Sequence, residues 1–314
     1  MSSVNNLPLI IILGPTAVGK TELSLRLAEK MEGEIISADS RLFYRGMDIG
    51  TAKPSIEDRK RVIHHLIDIA NPDDDFSLAL FQFKAKNAIK AIHRKGKIPF
   101  LVGGTGQYIK AVIEEWQPPA QPPNFNLRNI LEKWAVEIGV FGIHDKLKII
   151  DPIAAESIQP QNIRRTVRAL EVIFQTGKRF SSQKVKGNCP YKIFQIGLIR
   201  TRMELYKRID DRIDQMISEG FIEEVKGLLI KGYSPHLPSM SAIGYKQVAA
   251  YINGEITIDE AVILMRRLTR QFVRRQANWF KLSNPDIHWY QPDGETNRSL
   301  EEKIFQAYQD SIFN

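Results

Sequence analysis

The amino-acid sequence predicts an α/β protein in which helices flank a parallel sheet and a small helical domain is inserted. Two observations carry this prediction. Short apolar runs at 9–13, 34–39 and 98–102 are typical of buried strands, and segments of helical periodicity such as 77–94 lie between them. Prolines cluster at 117–123 and mark a domain boundary, because a proline cluster ends helices and strands.

A glycine-rich loop joins the first apolar run to the helix behind it. Its sequence, G-P-T-A-V-G-K-T, matches G-x-x-x-x-G-K-[ST] in the strand-then-helix context of a phosphate loop. Backbone N–H groups and a lysine can hold phosphate oxygens there, and a threonine hydroxyl can reach Mg²⁺. We therefore predict a P-loop NTPase-like sheet with a diphosphate or nucleotide site and Thr21 as the metal contact. The predicted site comprises Gly14, Pro15, Thr16, Ala17, Val18, Gly19, Lys20 and Thr21. A glycine-rich turn before an ordinary helix is the less specific interpretation.

The strands beyond the loop do not follow the pattern of a nucleotide hydrolase. Such an enzyme normally has a second strand ending in an aspartate that holds magnesium, whereas the strand at 98–102 leads into Gly-Gly-Thr-Gly. The strand at 34–39 does end in an acid, Asp39. The carboxyl ends of parallel strands share one edge, so we expect Asp39 beside the phosphate loop.

Composition narrows the class of protein. Cys189 is the single cysteine among 314 residues, so neither a disulfide framework nor a cysteine-based zinc site is expected. No apolar run reaches the roughly 18 to 20 residues of a membrane helix, and we expect a cytoplasmic, monomeric protein without a membrane partner. The net charge is +8, with 13 Lys or Arg against 4 Asp or Glu between residues 161 and 212. Together with a second basic block at 266–281, this distribution is typical of a protein that binds a polyanion, although a solvated basic surface would look similar.

The domain prediction follows from these boundaries. We assign 1–115 to the first part of the core, 116–188 to the helical insertion, and 189–314 to the rest of the core with its basic helices. Short helices are predicted at 127–138 and 141–149 within the insertion.

Three charged groups leave more than one interpretation open. His64 and His65 invite a metal-site reading, but we favour a structural role because no further ligand stands at suitable spacing. Arg208 and Arg212 lie one turn apart on a helix that begins at Thr201. Their charges could simply be paired by neighbouring acids, which are Asp210, Asp211 and Asp214. The helix at 259–282 has an apolar side, predicted as Leu264, Leu268, Phe272 and Trp279, and an arginine side that could meet phosphates.

With these residues assembled, the chain resembles the tRNA dimethylallyltransferases, also called tRNA isopentenyltransferases, of the bacterial type without a zinc finger. The resembling segments occur in family order at 14–21, 36–40, 44–54, 64–68, 101–105, 168–172, 243–245 and 269–272. The resemblance implies transfer of a dimethylallyl group from dimethylallyl diphosphate to N6 of the adenine immediately 3′ of the tRNA anticodon, with Mg²⁺. It also explains why a magnesium-binding aspartate is missing after residues 98–102, since no nucleotide need be hydrolysed.

Site residues follow from the resemblance, position by position. Asp39 would accept the proton of N6, Thr105 would position N6 or the donor, and Lys20, Arg208 and Arg212 would stabilise the departing diphosphate. The implied tRNA contacts are Asp39, Ser40, Arg41, Leu42, Thr105, Arg128, Arg164, Arg165, Thr166, Val167, Arg168, Ser241, Ala242, Ile243, Gly244, Tyr245, Lys246, Thr269, Arg270, Gln271, Arg274, Arg275 and Gln276.

Three other functions remain open at this point. An enzyme that prenylates free adenine nucleotides would use the same loop and Asp39, but would have little use for the basic helix at 266–275. A P-loop ATPase or small-molecule kinase is disfavoured by the strand that ends in Gly-Gly-Thr. A noncatalytic RNA-binding protein would not need the intact Lys20, Thr21 and Asp39.

Overall fold

The structure is a computed structural model that describes residues 6–117, 123–183, 185–292 and 297–313. The chain forms two compact units. The first combines Met1–Ile113 with Pro190–Asn314, and the second comprises Glu114–Cys189. The sequence-based limits of the insertion were residues 116 and 188.

The first unit is built on a six-stranded sheet in the order β3-β2-β4-β1-β7-β8, with every neighbouring pair parallel. Strands are numbered along the chain as β1 (Leu7–Leu13), β2 (Glu34–Ser37), β3 (His64–His65), β4 (Pro99–Gly103), β5 (Trp116–Gln117), β6 (Val185–Lys186), β7 (Tyr191–Leu198) and β8 (Ile287–Tyr290). The central strand β1 is buried from Leu9 to Leu13, as expected of a strand covered by helices on both faces. The α/β prediction is therefore confirmed.

The helices are numbered in the same way. They are α1 (Lys20–Lys30), α2 (Ile56–Arg61), α3 (Leu78–Arg94), α4 (Gly106–Ile113), α5 (Phe125–Ile150), α6 (Pro152–Glu156), α7 (Ile163–Thr176), α8 (Arg202–Ser218), α9 (Phe221–Ile230), α10 (Tyr245–Ile252), α11 (Ile258–Ala277) and α12 (Asn297–Phe313). Side-chain caps fix several starts: Ser77 accepts from the Leu80 N–H, and Thr201 and Thr257 each form a reciprocal capping box. No helix in the described part of the chain is long and apolar enough to cross a membrane.

Three elements differ from the prediction. The apolar pattern of residues 64–69 predicts a short strand, but strand β3 stops at His65, because Leu66 and Asp68 have positive φ angles of 62° and 55° that no strand accommodates. Strand β8 and helix α12 were not predicted. The face of helix α11 that packs against the core is not the predicted one, which comprised Leu264, Leu268, Phe272 and Trp279. The buried residues of α11 are Ala261, Met265, Val273 and Gln276.

The second unit has its own core. Helix α5 changes direction at Gly139, whose φ and ψ are 77° and 167°, so that two helices meet there as the sequence predicts. Leu131, Ile143 and Leu170 pack between α5, α6 and α7. The buried carboxylate of Glu171 accepts hydrogen bonds from the Asn124 N–H and from Arg128.

Candidate active site

A cavity of about 540 Å³ opens at the carboxyl ends of the core strands. Thr16 enters it from the loop after β1, Asp39 from the segment after β2, and Thr105 from the turn after β4. Arg212 of α8 and Thr269 of α11 close other parts of the wall. Open parallel sheets place ligands at this edge, and three of the residues predicted from separate strands therefore share one cavity.

The phosphate loop is held in shape by its own lysine. The Lys20 ammonium donates to the carbonyl oxygens of Gly14 at 3.0 Å and Pro15 at 2.7 Å. Burial lowers the pKa of Lys20 to about 8, the negative charge of Asp39 opposes that shift, and the charge of Arg212 adds to it. Burial thus disfavours the charged form of Lys20 unless an anion lies beside it, and a bound diphosphate would be such an anion.

Two arginines donate hydrogen bonds to the second half of the same loop. The Arg208 Nε donates to the Ala17 carbonyl at 2.7 Å, and the Arg200 Nε donates to the Val18 carbonyl at 3.1 Å. The C=O and the following N–H of a trans peptide point in opposite directions. The N–H groups of Val18 and Gly19 therefore point away from these arginines, in the manner of an anion-binding nest.

Asp39 and Arg212 form the electrostatic centre of the cavity wall. The Asp39 carboxylate accepts the Arg41 N–H at 3.0 Å, which fixes its turn. Arg212 is partly buried and donates to the Thr51 carbonyl at 3.2 Å. Burial lowers the pKa of Arg212 and the charge of Asp39 counters that effect. The negative charge of Asp39 and the positive charges of Lys20 and Arg212 are consequently close enough to influence one another.

Arg41 ties this strand end to a distant loop. Its guanidinium donates to the carbonyls of Pro238 at 2.9 Å and Ser239 at 3.1 Å, and to the Ser241 hydroxyl at 3.2 Å. Ser241 and Arg41 both line the cavity. The predicted contact segments 39–42 and 241–246 are thus brought together by one side chain.

Glu224, which the sequence analysis did not single out, fixes another wall. Its carboxylate accepts the N–H groups of Asp48, Ile49 and Gly50 at 2.9, 2.7 and 3.2 Å, and the Tyr245 hydroxyl at 2.6 Å. This loop leads directly to Thr51, the acceptor of Arg212. In the sequence, Glu224 is an ordinary acid in the first turn of a helix, so no local pattern distinguishes it.

The acids of α8 do not pair with Arg208 and Arg212 in the way that was considered possible. Asp210 instead binds Arg270 at 2.5 Å, and Asp214 binds Arg266 at 2.5 Å. Asp210 and Asp214 therefore face α11 and neutralise part of the arginine side that was expected to meet phosphates. Arg274 and Arg275 remain exposed on α11.

Several implied tRNA contacts are enclosed by the chain itself. Tyr245, Thr166 and Val167 are at most 1% exposed, and their contact with tRNA stays a prediction. Burial and the neighbouring Glu224 carboxylate also raise the pKa of Tyr245. The Gln276 amide is buried between other parts of the first unit.

Other implied contacts are accessible or partly so. In the second unit, Arg128 and Arg168 both bind the buried Glu171, at 2.8 and 3.0 Å. Burial opposes ionisation of Glu171, but hydrogen bonds from Arg128, the Asn124 N–H and Arg168 hold its pKa below the ordinary value. Arg164 and Arg165 are exposed on the same unit.

The histidine pair has structural partners. His64 bonds the Val62 carbonyl at 2.8 Å and His65 bonds Glu34 at 2.8 Å. Burial lowers the pKa of His64. Within the described ranges no cluster of three or more His, Cys, Asp or Glu side chains could hold a metal ion. A metal at the phosphate loop would therefore take most of its ligands from a bound diphosphate and water.

Comparison with known proteins places this geometry in a family. The family model described as IPP transferase matches residues 42–283. A tRNA dimethylallyltransferase of Roseiflexus sp. strain RS-1 is 51% identical over 275 residues, which cover 88% of this chain and 90% of the relative. One from Thermomicrobium roseum is 44% identical over 283 residues, covering 90% of this chain and 86% of the relative.

Solved structures agree with the sequence relatives. The crystal structure of full-length tRNA isopentenylpyrophosphate transferase from Bacillus halodurans aligns with a TM-score of 0.73 at 41% identity, covering 97% of this chain and 96% of that one. A eukaryotic dimethylallyltransferase, described as acting on tRNA, aligns with a TM-score of 0.81 at 28% identity, covering 97% of this chain and 79% of that one. The chain belongs to the IPP transferase family, a family of prenyltransferases.

Proposed function

We propose that this protein transfers the dimethylallyl group of dimethylallyl diphosphate to N6 of the adenine immediately 3′ of the anticodon in tRNA. The observation that carries the proposal is that Thr16 of the phosphate loop and Asp39 line one cavity, in a chain whose relatives are tRNA dimethylallyltransferases. A tRNA substrate would make the cytoplasm the site of the reaction.

The proposed reaction is a displacement at the allylic carbon. The N6 nitrogen forms a bond to C1 of the dimethylallyl group, the bond from C1 to the diphosphate oxygen breaks, and diphosphate leaves with the electron pair. Asp39 accepts the proton that N6 loses. Lys20 and Arg208 contact carbonyls of the phosphate loop, and Arg212 lines the cavity beside it; these cations would stabilise the negative charge that develops on the leaving group. Thr105 opens the first turn of α4 beside them and would orient N6 or the donor.

Mg²⁺ fits the chemistry of this site as a partner of the substrate rather than of the protein alone. Thr21 is exposed in the first turn of α1, where its hydroxyl could hold the ion together with diphosphate oxygens. The ion would supply further positive charge against the leaving diphosphate.

The target adenine must leave its stack to reach a cavity of this depth, so the enzyme is expected to flip it. Accessible basic side chains suited to tRNA phosphates are found at Arg164, Arg165, Lys246, Arg274 and Arg275. Arginine side chains bind phosphates through several donors and fix the register of the RNA without reading its sequence. We propose that Lys246, Arg274 and Arg275 of the first unit hold phosphates of the anticodon stem-loop, that Arg164 and Arg165 give the second unit phosphate contacts of its own, and that one copy of the chain is the working unit.

The direct test is incubation of the purified protein with Mg²⁺, dimethylallyl diphosphate and unmodified tRNA whose anticodon is followed by two adenines. AMP and ATP are offered in parallel, and nucleosides are analysed by mass spectrometry. We expect a dimethylallyl mass on adenosine from tRNA alone. Prenylated AMP or ATP would instead identify a cytokinin-forming enzyme, and ATP hydrolysis without prenyl transfer would identify an ordinary P-loop hydrolase.

A further inference from the structure

Gln276 stands at the end of α11 and touches both halves of the proposed reaction site. Its Oε1 accepts the Thr16 N–H of the phosphate loop at 2.9 Å, and its Nε2 donates to the Gly104 carbonyl at 3.1 Å. The side chain is 7% exposed. Both the oxygen and the nitrogen of the amide therefore bind other parts of this chain. A residue that contacts a phosphate or a base would instead need a free donor or acceptor directed at the ligand.

The Gln276 amide and the nearby Trp279 ring pack closely against two glycines. A Cβ at Gly104 would lie 2.3 Å from the Gln276 Nε2, and a Cβ at Gly106 would lie 2.3 Å from the Trp279 ring. Two glycines thus let the end of α11 and the residues just after it pack against the segment that carries Thr105. Gln276 and Trp279 pack against the two glycines that flank Thr105 in the chain and so restrict the position of that turn.

The same amide completes the support of the phosphate loop. Lys20 holds the carbonyls of Gly14 and Pro15, and Gln276 holds the N–H of Thr16 on the opposite side of the Pro15–Thr16 peptide. The first half of the loop is consequently clamped between a cation and a neutral amide. Removing one partner of a buried hydrogen bond leaves the other unsatisfied, so the arrangement is sensitive to loss of the side chain.

We propose that Gln276 is a positioning residue that holds the phosphate loop and the Thr105 turn in one register, so that donor and acceptor meet. The proposal rests on the proposed function and replaces the role of tRNA contact that family resemblance gives to this residue. It predicts that Gln276 acts on donor affinity and on the rate of transfer, and that the affinity for RNA does not depend on it.

The first test compares Gln276→Met with the wild type and with Gln306→Met, a control at an exposed glutamine on α12 of the same unit. Inorganic pyrophosphate with Mg²⁺ and an anticodon stem-loop RNA are titrated separately, and single-turnover prenyl transfer is measured with both substrates saturating. For Gln276→Met we expect a Kd for pyrophosphate about tenfold higher and a transfer rate about tenfold lower, with RNA affinity within about twofold of wild type. Gln306→Met should match the wild type in all three.

A double-mutant cycle separates positioning from a general loss of stability. Gly104→Ala should displace the Gln276 amide and reproduce the loss of donor affinity. In a Gln276→Ala background the 2.3 Å clash with the Gln276 amide is gone and the nearest remaining neighbour is the Gly14 carbonyl oxygen at 3.3 Å, so Gly104→Ala should cost much less than in the wild type, and the two effects should not add. Thermal melting of each variant shows whether it is folded at the assay temperature.

Two results would overturn the inference. One is weakened RNA binding by Gln276→Met with unchanged pyrophosphate affinity, which would restore the role of RNA contact. The other is full additivity in the cycle. A wild type that neither binds pyrophosphate nor transfers the prenyl group would instead contradict the proposed function, so the two failures are distinguishable.

Discussion

The cations around the phosphate loop and the cations on the outer side of α11 are similar side chains with opposite kinds of partner. Lys20, Arg208 and Arg212 donate to backbone carbonyls, which are neutral. Arg266 and Arg270 bind the carboxylates of Asp214 and Asp210. A carbonyl orients a cation but leaves its charge available, whereas a carboxylate neutralises it. The kind of partner thus indicates which basic residues are ready for an anionic substrate.

The largest effect is expected where a single group handles the proton. Asp39→Asn keeps the size of the side chain but removes its basicity, and the rate of transfer should fall about 10³-fold. Anticodon stem-loop affinity should stay near wild type, because the phosphate contacts are elsewhere. Turnover like that of the wild type would remove the base role from Asp39.

The next effect tests the comparison between the two groups of cations. Arg208→Met removes the cation that holds the Ala17 carbonyl of the phosphate loop, and we expect kcat to fall about 100-fold. Arg266→Met removes a charge already paired with Asp214, and kcat should change less than about twofold. Steady-state kinetics of both variants at saturating RNA provide the measurement. Equal losses would show that partner type does not distinguish these arginines.

A smaller effect is expected at Glu224, which acts at a distance from the reacting atoms. Glu224→Gln can still accept the Tyr245 hydroxyl but cannot serve all four donors, and Thr51, which holds Arg212, should lose its fixed position. We expect kcat about tenfold lower, with unchanged RNA affinity. Glu223→Gln, at the neighbouring acid of the same helix turn, is the control and should behave as wild type. An equal loss in the control would assign the effect to helix charge rather than to the loop.

The mildest expected effect concerns pH. Burial lowers the pKa of Lys20 to about 8 in the empty loop, with Asp39 opposing and Arg212 adding to the shift. Because only the charged form attracts an anion, pyrophosphate affinity should fall as pH rises above about 8, by at most tenfold per pH unit. Titrations between pH 7 and pH 9.5 test this, and Lys20→Arg should lose the dependence because arginine stays charged. A flat profile in the wild type would contradict the assignment.

Local sequence predicts those parts of the site that a local pattern encodes. The phosphate loop and the position of Asp39 follow from motif and strand order, because the carboxyl ends of parallel strands share one edge. The contact of Gln276 with the phosphate loop could not be predicted from a local pattern, because its partner Thr16 is 260 residues distant in the chain. The facing of α11 was predicted wrongly for a related reason. Phe272 and Trp279 look like core residues by spacing, but they line the cavity.

The unpredicted elements differ in how far the sequence indicates them. Helix α12 buries Leu300, Ile304 and Tyr308, which are spaced four residues apart as on one face of a helix. The short β8 has only four residues, too few for a period of two to stand out. Glu224 had no signal at all, since its role depends on a loop that is distant in the chain.

The measurement that tests the central claim most directly is the affinity of inorganic pyrophosphate with Mg²⁺ for the wild type, Arg212→Met and Arg270→Met. Arg212 donates to a carbonyl inside the cavity, and Arg270 is paired with Asp210 outside it. The account predicts that Arg212→Met weakens pyrophosphate binding at least about tenfold while Arg270→Met leaves it within about twofold. Equal weakening by both variants, or an effect of Arg270→Met alone, would contradict it.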